Sequence, residues 1–136
     1  FPYTTLFRSD GAASQVIHMG AWKTWTPVFT GFSTDPSVDA ARYTQIGKLV
    51  TARLDTSGGI SNATTFTMTL PVVAHSTGNQ YFPCRVIDNN SNQDAPGLLV
   101  TRIGSDIADL YRTLQIGPWT ASSNKRAYLT ITYEVD

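Results

Sequence analysis

The stretch "AYLTITYEV", residues 127–135, decides the fold class, because its apolar side chains occupy alternate positions. In an extended chain, successive side chains point to opposite faces of a sheet. Alternation of this kind is therefore typical of a strand with one buried face. We expect the core face of this strand to consist of Ala127, Leu129, Ile131, Tyr133 and Val135, with Tyr128, Thr130, Thr132 and Glu134 on the other face.

The same alternation recurs in earlier segments of the chain. The expected core positions are Phe66, Met68 and Leu70 in "TTFTMTLP", Val50, Ala52 and Leu54 in "LVTARLD", and Leu110, Leu114 and Ile116 in "LYRTLQI". Shorter strand candidates are "YFPCRVI" at 81–87 and "LLVTRI" at 98–103. The segment "IGSDIADLY" at 103–111 is compatible with one helical turn that has Ser105 as its N-cap.

Turn signals separate these segments and define the predicted topology. The stretch "ARYTQIGKLVTARL", residues 41–54, predicts a hairpin closed at Gly47-Lys48, because a leading glycine suits a type II′ turn. About seven or eight short strands follow one another without helical crossovers, which excludes parallel βαβ folds. The predicted fold is therefore an all-β, antiparallel β-sandwich of jelly-roll type over residues 22–136.

Composition narrows the classes of partner. The chain has 136 residues, with ten basic and ten acidic side chains and a formal net charge of zero. This balance argues against nucleic acid, which requires a basic surface. No apolar run approaches the roughly 18 residues of a membrane helix, so we expect no membrane insertion. The single cysteine, Cys84, excludes a scaffold held by internal disulfides.

Residues suited to catalysis are sparse. His18 is expected in a linker and His75 in a loop, without the clustered spacing that a metal site needs. Cys84 is expected to be a buried apolar residue, because no base with an orienting partner is evident. Most of the nine aspartates stand in turn contexts, which makes a hydrolase the less favoured alternative. We therefore predict no enzymatic activity and no cofactor.

One loop, "DNNSNQD" at 88–94, resembles a cation-binding loop. Its oxygen-bearing side chains recur at every second position, at Asp88, Asn90, Asn92 and Asp94. An EF-hand would require glycine and glutamate where Gln93 and Leu99 stand, so that class is excluded. A calcium loop of another kind and a polar β-turn both remain compatible with the sequence.

Aromatic residues and polar loops are the candidates for ligand contact. Trp22, Trp25 and Trp119 flank the predicted sandwich, where rings can serve a sugar platform, a core or an interface. Receptor contacts are expected from three loops: "HSTGNQ" at 75–80, "DNNSNQDAPG" at 88–97 and "TASSNK" at 120–125. The candidate ligand-binding residues are Tyr81, Trp119, Asn79 and Asn124.

The first nine residues, "FPYTTLFRS", resemble one reading frame of a sequencing-adapter oligonucleotide. They lack the apolar run of a secretory signal and the arginines of a mitochondrial presequence. The resemblance implies that residues 1–9 are not native, that the gene came from environmental DNA, and that the native N-terminus is missing. Residues 10–21 are expected to be a linker, which leaves 22–136 as the folded domain.

Four segments resemble the C-terminal regions of bacteriophage tail-fibre and minor tail proteins. In chain order they are "WKTWTPVFTGFSTDP", "ARYTQIGKLVTARLD", "TFTMTLPV" and "RAYLTITYEVD", while "WTASSNKRAY" stands where that family often has a glycine-rich loop. The resemblance implies a virion structural domain, usually a homotrimer at a fibre tip or on the particle surface. The candidate partners are therefore further copies of the chain and a host cell-surface glycan. The alternatives are an extracellular carbohydrate-binding module of a secreted bacterial protein and a capsid decoration protein.

Overall fold

The structure, a computed structural model, describes residues 20–93 and 95–136 together with the backbone of two N-terminal segments. These segments are strands β1 (Thr5–Phe7) and β2 (Ala13–Gln15), which pair antiparallel with each other in a sheet of their own. The other predictions for residues 1–19, including that for His18, lie outside the described residues.

The main sheet contains twelve strands. Their bounds are β3 (Lys23–Thr24), β4 (Phe29–Thr30), β5 (Phe32–Thr34), β6 (Ser37–Ile46), β7 (Leu49–Ser57), β8 (Gly59–Ser61), β9 (Phe66–Thr69), β10 (Tyr81–Asp88), β11 (Ser91–Asn92), β12 (Gly97–Thr101), β13 (Ile107–Tyr111) and β14 (Asn124–Glu134). No helix occurs in the described part of the chain, and so none there is long and apolar enough to cross a membrane.

The sheet is antiparallel and curls into a half-barrel. Its main path runs β3-β6-β7-β14-β10-β12-β13-β9-β4, with β5, β8 and β11 pairing at its side. Strand β10 joins two halves of the path, because Tyr81–Cys84 pairs with β12 while Arg85–Asp88 pairs with β14. The all-β class is confirmed. The strand count exceeds the predicted seven or eight, because five strands of the sheet have only two or three residues without a clear alternation.

The core lies inside the curl, and β14 supplies its centre. All five predicted core residues of the stretch 127–135 are buried, four of them in β14 and Val135 directly after it, and Thr130, Thr132 and Glu134 on the other face are exposed. The predicted core faces around β7 and β9 are also confirmed as buried: Val50, Ala52, Leu54, Phe66, Met68 and Leu70. Burial of each large apolar side chain stabilises the fold by about 1.5–3 kcal/mol. The period-two pattern therefore identifies the segments that hold the sheet together.

Two tight turns fix the register of the β6–β7 and β10–β11 hairpins. Ile46 pairs with Leu49 across Gly47-Lys48, and only the glycine of the turn has a positive φ, +57°. The predicted type II′ turn is confirmed. In the β10–β11 hairpin, Asn89 and Asn90 both have positive φ values, of 50° and 61°. Two such residues in succession define a type I′ turn, which asparagine tolerates.

Two local predictions were wrong. Strand β13 ends at Tyr111, and both Leu114 and Ile116 are exposed instead of lying in the core. The chain leaves the sheet there, since Ile116 has a positive φ of 60° that no strand residue adopts. Ser105 does not cap a helix; its Oγ accepts a hydrogen bond from the Ile107 N–H at 3.1 Å, in a turn that precedes β13.

Candidate functional site

The long strands run between two ends of the sheet. We name residues 88–92 and 119–125 the Asn89 end, and residues 46–49, 72–81 and 133–136 the Lys48 end. Strand β10 has eight residues and connects the two, so at about 3.3 Å per residue the ends lie about 23 Å apart. Each end carries polar residues that the sequence singles out for ligand contact.

A buried ion pair holds the Asn89 end together. Asp88 and Lys125 are 4% and 1% exposed, and they contact each other because they face one another in the β10–β14 register. Thr120 Oγ1 donates to Asp88 Oδ1 at 2.8 Å. The ammonium of Lys125 also contacts Asn89 Oδ1 and donates to the Ser122 carbonyl at 2.5 Å. The network thereby connects the β10–β11 turn to the segment that precedes β14.

The Asp88 carboxyl keeps its charge despite its burial. Burial alone would raise the pKa of Asp88, but hydrogen bonds from Lys125 and Thr120 and the charge of Lys125 outweigh that effect. Their sum lowers the pKa of Asp88 below its usual value of 3.8. Arg112 Nη1, at 3.4 Å from Asp88 Oδ2, adds a second positive group. Asp88 is therefore a structural anion that fixes two loops.

The predicted cation ligands do not come together in the described residues. The oxygens of Asp88 contact Lys125, Thr120 and Arg112, so a cation would have to displace an ammonium group. Asn92 Oδ1 accepts a hydrogen bond from Arg85 at 2.8 Å, and Asn90 is exposed at the turn. Asp94 lies outside the described residues, and within 20–93 and 95–136 no group of His, Cys, Asp or Glu could hold a metal ion. Residues 88–92 form the polar β-turn that the sequence left as the alternative.

Neutral hydrogen bonds of Tyr133 and Gln80 connect neighbouring segments of the Lys48 end. The buried Tyr133 hydroxyl donates to the Val72 carbonyl at 2.9 Å and accepts from the Val72 N–H at 3.2 Å. Burial raises the pKa of Tyr133 well above its usual value of 10.0. The Gln80 amide donates to the Glu134 carbonyl at 3.0 Å and accepts from the Glu134 N–H at 2.7 Å. No charge is needed in these contacts.

Two of the predicted ligand residues lie at the Lys48 end. Tyr81 begins β10 and is 60% exposed, as a ligand platform requires. Asn79 is exposed, although its Oδ1 accepts a hydrogen bond from the Ile103 N–H at 3.1 Å. Both residues are accessible to a partner at this end.

The other two predicted ligand residues lie at the Asn89 end and are less accessible. Trp119 is only 2% exposed; its ring packs 5.0 Å from that of Phe66, and its Nε1 donates to the Leu110 carbonyl at 2.8 Å. Trp119 is thus a core residue, which corrects its assignment as a ligand contact. Asn124 is half-buried, and its Oδ1 is shielded from solvent without a hydrogen-bond partner among the described residues.

The three predicted receptor loops do not form one surface. The Asp88–Lys125 network joins the described part of loop 88–97 to loop 120–125 at the Asn89 end. Loop 75–80 lies at the Lys48 end, where the His75 N–H donates to the Glu134 carbonyl at 2.9 Å. A single ligand could therefore contact two of the loops together, but the third only across the length of the sheet.

The surroundings of Cys84 and His75, whose side chains are of the types that serve as nucleophile and base, indicate structural roles for both. Cys84 is buried as predicted, and burial raises the pKa of its thiol to about 12, so almost no thiolate exists at neutral pH. His75 is only partly exposed; its Nδ1 accepts from the Thr77 N–H at 3.1 Å and its Nε2 lies 3.2 Å from Asp136 Oδ1. These contacts fix the turn at residues 75–77.

An open groove on the outer face of the sheet was not predicted from the sequence. The groove encloses about 310 Å³ and is lined by Trp22, Ala40, Arg42 and Arg53. Arg42 and Arg53 face each other directly across β6 and β7. The Gly47-Lys48 turn fixes the register that pairs them, so the hairpin prediction already contained this juxtaposition. The hairpin prediction did not include the position of Trp22, which follows from the pairing of β3 with β6.

In comparisons with known proteins, no protein-family model matches this chain and no curated protein matches it. An all-β architecture by itself does not define a function, because similar sheets serve many activities. Function must therefore be inferred from the two ends of the sheet and from the groove.

Proposed function

We propose that this chain is a non-enzymatic adhesion domain of a bacteriophage-type particle, at the tip of a tail fibre or on the particle surface. The observation that carries the proposal is the fixed placement of two polar loops at the Asn89 end by the Asp88–Lys125 ion pair. Loops on a rigid scaffold commonly carry binding. The biological setting rests on the sequence resemblance to tail-fibre and minor tail proteins.

The orientation of the sheet supports the Asn89 end as the receptor-contacting end. The Gly20 carbonyl accepts a hydrogen bond from Thr44 Oγ1 at 2.9 Å, close to the Gly47-Lys48 turn. The polypeptide thus reaches the sheet at the Lys48 end. The resemblance to the C-terminal regions of tail-fibre proteins implies attachment on the N-terminal side, so on a particle the Asn89 end would point outward, towards a host cell-surface glycan, and loop 75–80 would point inward.

We also propose that the two halves of the curled sheet form a β-sandwich and that the chain assembles as a homotrimer. One core cluster contains residues from both halves of the curled sheet, such as Leu54 and Leu99, which supports two halves packed face to face. Several apolar side chains are exposed: Val28, Val38, Ile60, Val73, Ile103, Leu114 and Ile116. A contiguous apolar patch often marks an interface, and in the proposed trimer three copies in a closed ring would bury part of this apolar surface by repeating one contact.

Light scattering and cell-binding assays test this function. We expect a trimer that binds a subset of bacterial cells, and we expect Asn90→Ala together with Asn92→Ala to weaken that binding. The matched control is Asn79→Ala, which removes the same amide from the loop at the Lys48 end. A monodisperse monomer whose binding responds to neither loop would contradict the proposal.

A carbohydrate-binding module of a secreted bacterial protein is a second candidate, favoured by Trp22 in the groove. Trp22 is 46% exposed, and an accessible indole beside polar groups suits a sugar ring. A monomer that binds soluble sugar but no intact cells would favour this candidate over the adhesion domain.

A further inference from the structure

We propose that the groove formed by Trp22, Ala40, Arg42 and Arg53 binds a carboxylate-bearing sugar residue of an acidic polysaccharide. The inference rests on the proposed adhesive function for its biological setting and names the chemistry of the ligand. The groove lies on the outer face of β6 and β7, apart from the two loops of the Asn89 end. It is therefore a separate site that separate variants can test.

Charge complementarity is the first support for this ligand. The β6–β7 register places Arg42 directly opposite Arg53, and like charges in that arrangement repel each other. Asp55 offsets one of the two charges through its ion pair with Arg53 at 2.6 Å. Among residues 20–93 and 95–136, Arg42 forms no ion pair. The groove thus has one positive charge in excess, which a single sugar carboxylate would neutralise.

Both guanidinium groups are held in position without a ligand. The guanidinium carbon of Arg42 lies 5.8 Å from the centre of the Trp22 ring. Arg53 donates to Asp55 Oδ2 from Nε at 3.2 Å and from Nη2 at 2.6 Å. Donors that are already ordered lose less entropy when a ligand binds. A guanidinium also matches a carboxylate through two parallel hydrogen bonds, which an ammonium cannot offer.

The aromatic side chains indicate a sugar rather than a small anion. Trp22 offers an apolar surface beside the arginines, where the C–H face of a sugar ring can pack. The register continues from Asp55 to Tyr128 and from Tyr128 to Arg85, so the same face of the sheet carries a second arginine stacked on an aromatic ring, at 4.9 Å. A row of this kind suits a chain of sugars, since a free inorganic anion would use neither ring.

Calorimetric titration of the full chain with acidic oligosaccharides tests the inference. The probes are oligogalacturonate and oligomannuronate, with maltohexaose as the neutral control. We expect binding of a carboxylated probe only, and a loss of about tenfold or more in affinity for both Arg42→Gln and Trp22→Ala. Arg102→Gln is the charge control, because it removes the same charge from an exposed arginine that does not line the groove and that, unlike Arg42, is paired with an aspartate. That variant should bind like the unchanged protein.

Several results would overturn the inference. These are no binding of either acidic probe, equal binding of maltohexaose, an equal loss for Arg102→Gln, or tighter binding of single-stranded DNA of the same charge. Circular dichroism confirms that each variant is folded. If the acidic probe binds but the protein is a monomer that does not adhere to cells, the adhesion function fails and the groove stands. If adhesion depends on the loops while no acidic probe binds, the groove fails and the adhesion function stands.

Discussion

The Asn89 end and the Lys48 end lie at opposite ends of the same strands, and their buried polar contacts differ in charge. At the Asn89 end, a buried ammonium and a buried carboxylate neutralise each other and connect two loops. At the Lys48 end, a phenol and an amide form hydrogen bonds with backbone groups of neighbouring segments. Both arrangements satisfy polar groups that the fold removes from water, as buried polar groups require.

The difference teaches which end is more sensitive to a single change. Removal of one partner from a buried ion pair leaves a charge without compensation, whereas removal of a neutral hydrogen bond leaves only an unsatisfied dipole. The end that presents the proposed receptor loops is therefore the end whose interior tolerates substitution least. Of the two exposed residues in its turn, Asn90 does not contact the network, whereas Asn89 accepts a hydrogen bond from Lys125.

The largest expected effect is that of Lys125→Met. The substitution keeps the apolar stem and leaves Asp88 buried without its ammonium partner, so we expect a loss of about 3–5 kcal/mol in the free energy of unfolding. Urea denaturation measures it. The double variant with Asp88→Leu removes both charges and should recover much of the loss. If the double variant is no more stable than Lys125→Met, the ion pair is not the source of the effect.

The next largest effect is expected in the middle of β14, where substitutions of two neighbouring residues compare the two faces of the sheet. Ile131→Ala should reduce the free energy of unfolding by about 2–5 kcal/mol, because it leaves a cavity in the core. Thr132→Ala, one residue further on the exposed face, should cost well under about 1 kcal/mol. Equal losses for the two variants in urea denaturation would mean that an assembled copy covers the outer face.

The strands of the core could be predicted from the sequence because local alternation decides them. In β14 every second residue is apolar, and the core must lie on that side. The same rule failed at Leu114 and Ile116, where spacing matched a strand but the chain had already turned away. Ile116 lies in a local turn, in which its N–H donates to the Thr113 carbonyl at 3.2 Å and the Arg112 N–H donates to the Gly117 carbonyl at 3.1 Å, and period-two reasoning does not include such a turn.

The polar sites were less predictable, because they depend on pairs that are distant in sequence. The carboxylate of Asp88 is a group that commonly binds cations, and only the β10–β14 register shows that Lys125 contacts its oxygens instead. The indole ring of Trp119 is of the type that packs against sugars, yet it lies in the core beside Phe66. Arg42 and Arg53 are an exception, because the short turn between β6 and β7 fixes their pairing.

The neutral contact at the Lys48 end should be worth less than the ion pair. Tyr133→Phe removes a hydroxyl that serves both the N–H and the carbonyl of Val72, so we expect a loss of about 1–3 kcal/mol in the free energy of unfolding. Thermal unfolding monitored by circular dichroism provides the measurement. A loss as large as that of Lys125→Met would remove the distinction between the two ends.

The two ends should also respond to opposite extremes of pH. Because the pKa of Asp88 is lowered in the folded protein, its contribution is present above its usual value of 3.8 and is lost as the pH falls further. Because the pKa of Tyr133 is raised, its contribution is present below 10.0 and is lost as the pH rises. Each group changes the free energy of unfolding by at most about 1.4 kcal/mol per pH unit.

Single variants show which residues cause the loss of stability at acid pH (the acid limb of the pH profile) and at alkaline pH (the alkaline limb). Asp88→Asn should flatten the acid limb, and Tyr133→Phe should flatten the alkaline limb. Cys84 contributes to the alkaline limb as well, since burial raises the pKa of its thiol from 9.0 to about 12, and Cys84→Ala separates its share. Urea denaturation from pH 2 to pH 11 measures both limbs; an acid limb unchanged in Asp88→Asn would show that other carboxyls dominate it.

The smallest expected effects concern the exposed turns, where the two ends should behave alike. Gly47→Ala places a side chain in open space at a φ of +57°, and Asn90→Ala replaces an exposed asparagine at a φ of 61° with a residue that tolerates left-handed backbone less well, so each should cost about 1 kcal/mol in backbone strain. Gly78→Ala is the control, because its surroundings are equally open and its φ is not positive; it should be neutral or slightly stabilising. Asn90 does not contact the Asp88–Lys125 network directly, whereas Asn89 does. Equal losses at positions 47 and 90 would place the difference between the ends in the buried network alone, and a much larger loss for Asn90→Ala in urea denaturation would mean that the network depends on the turn above it.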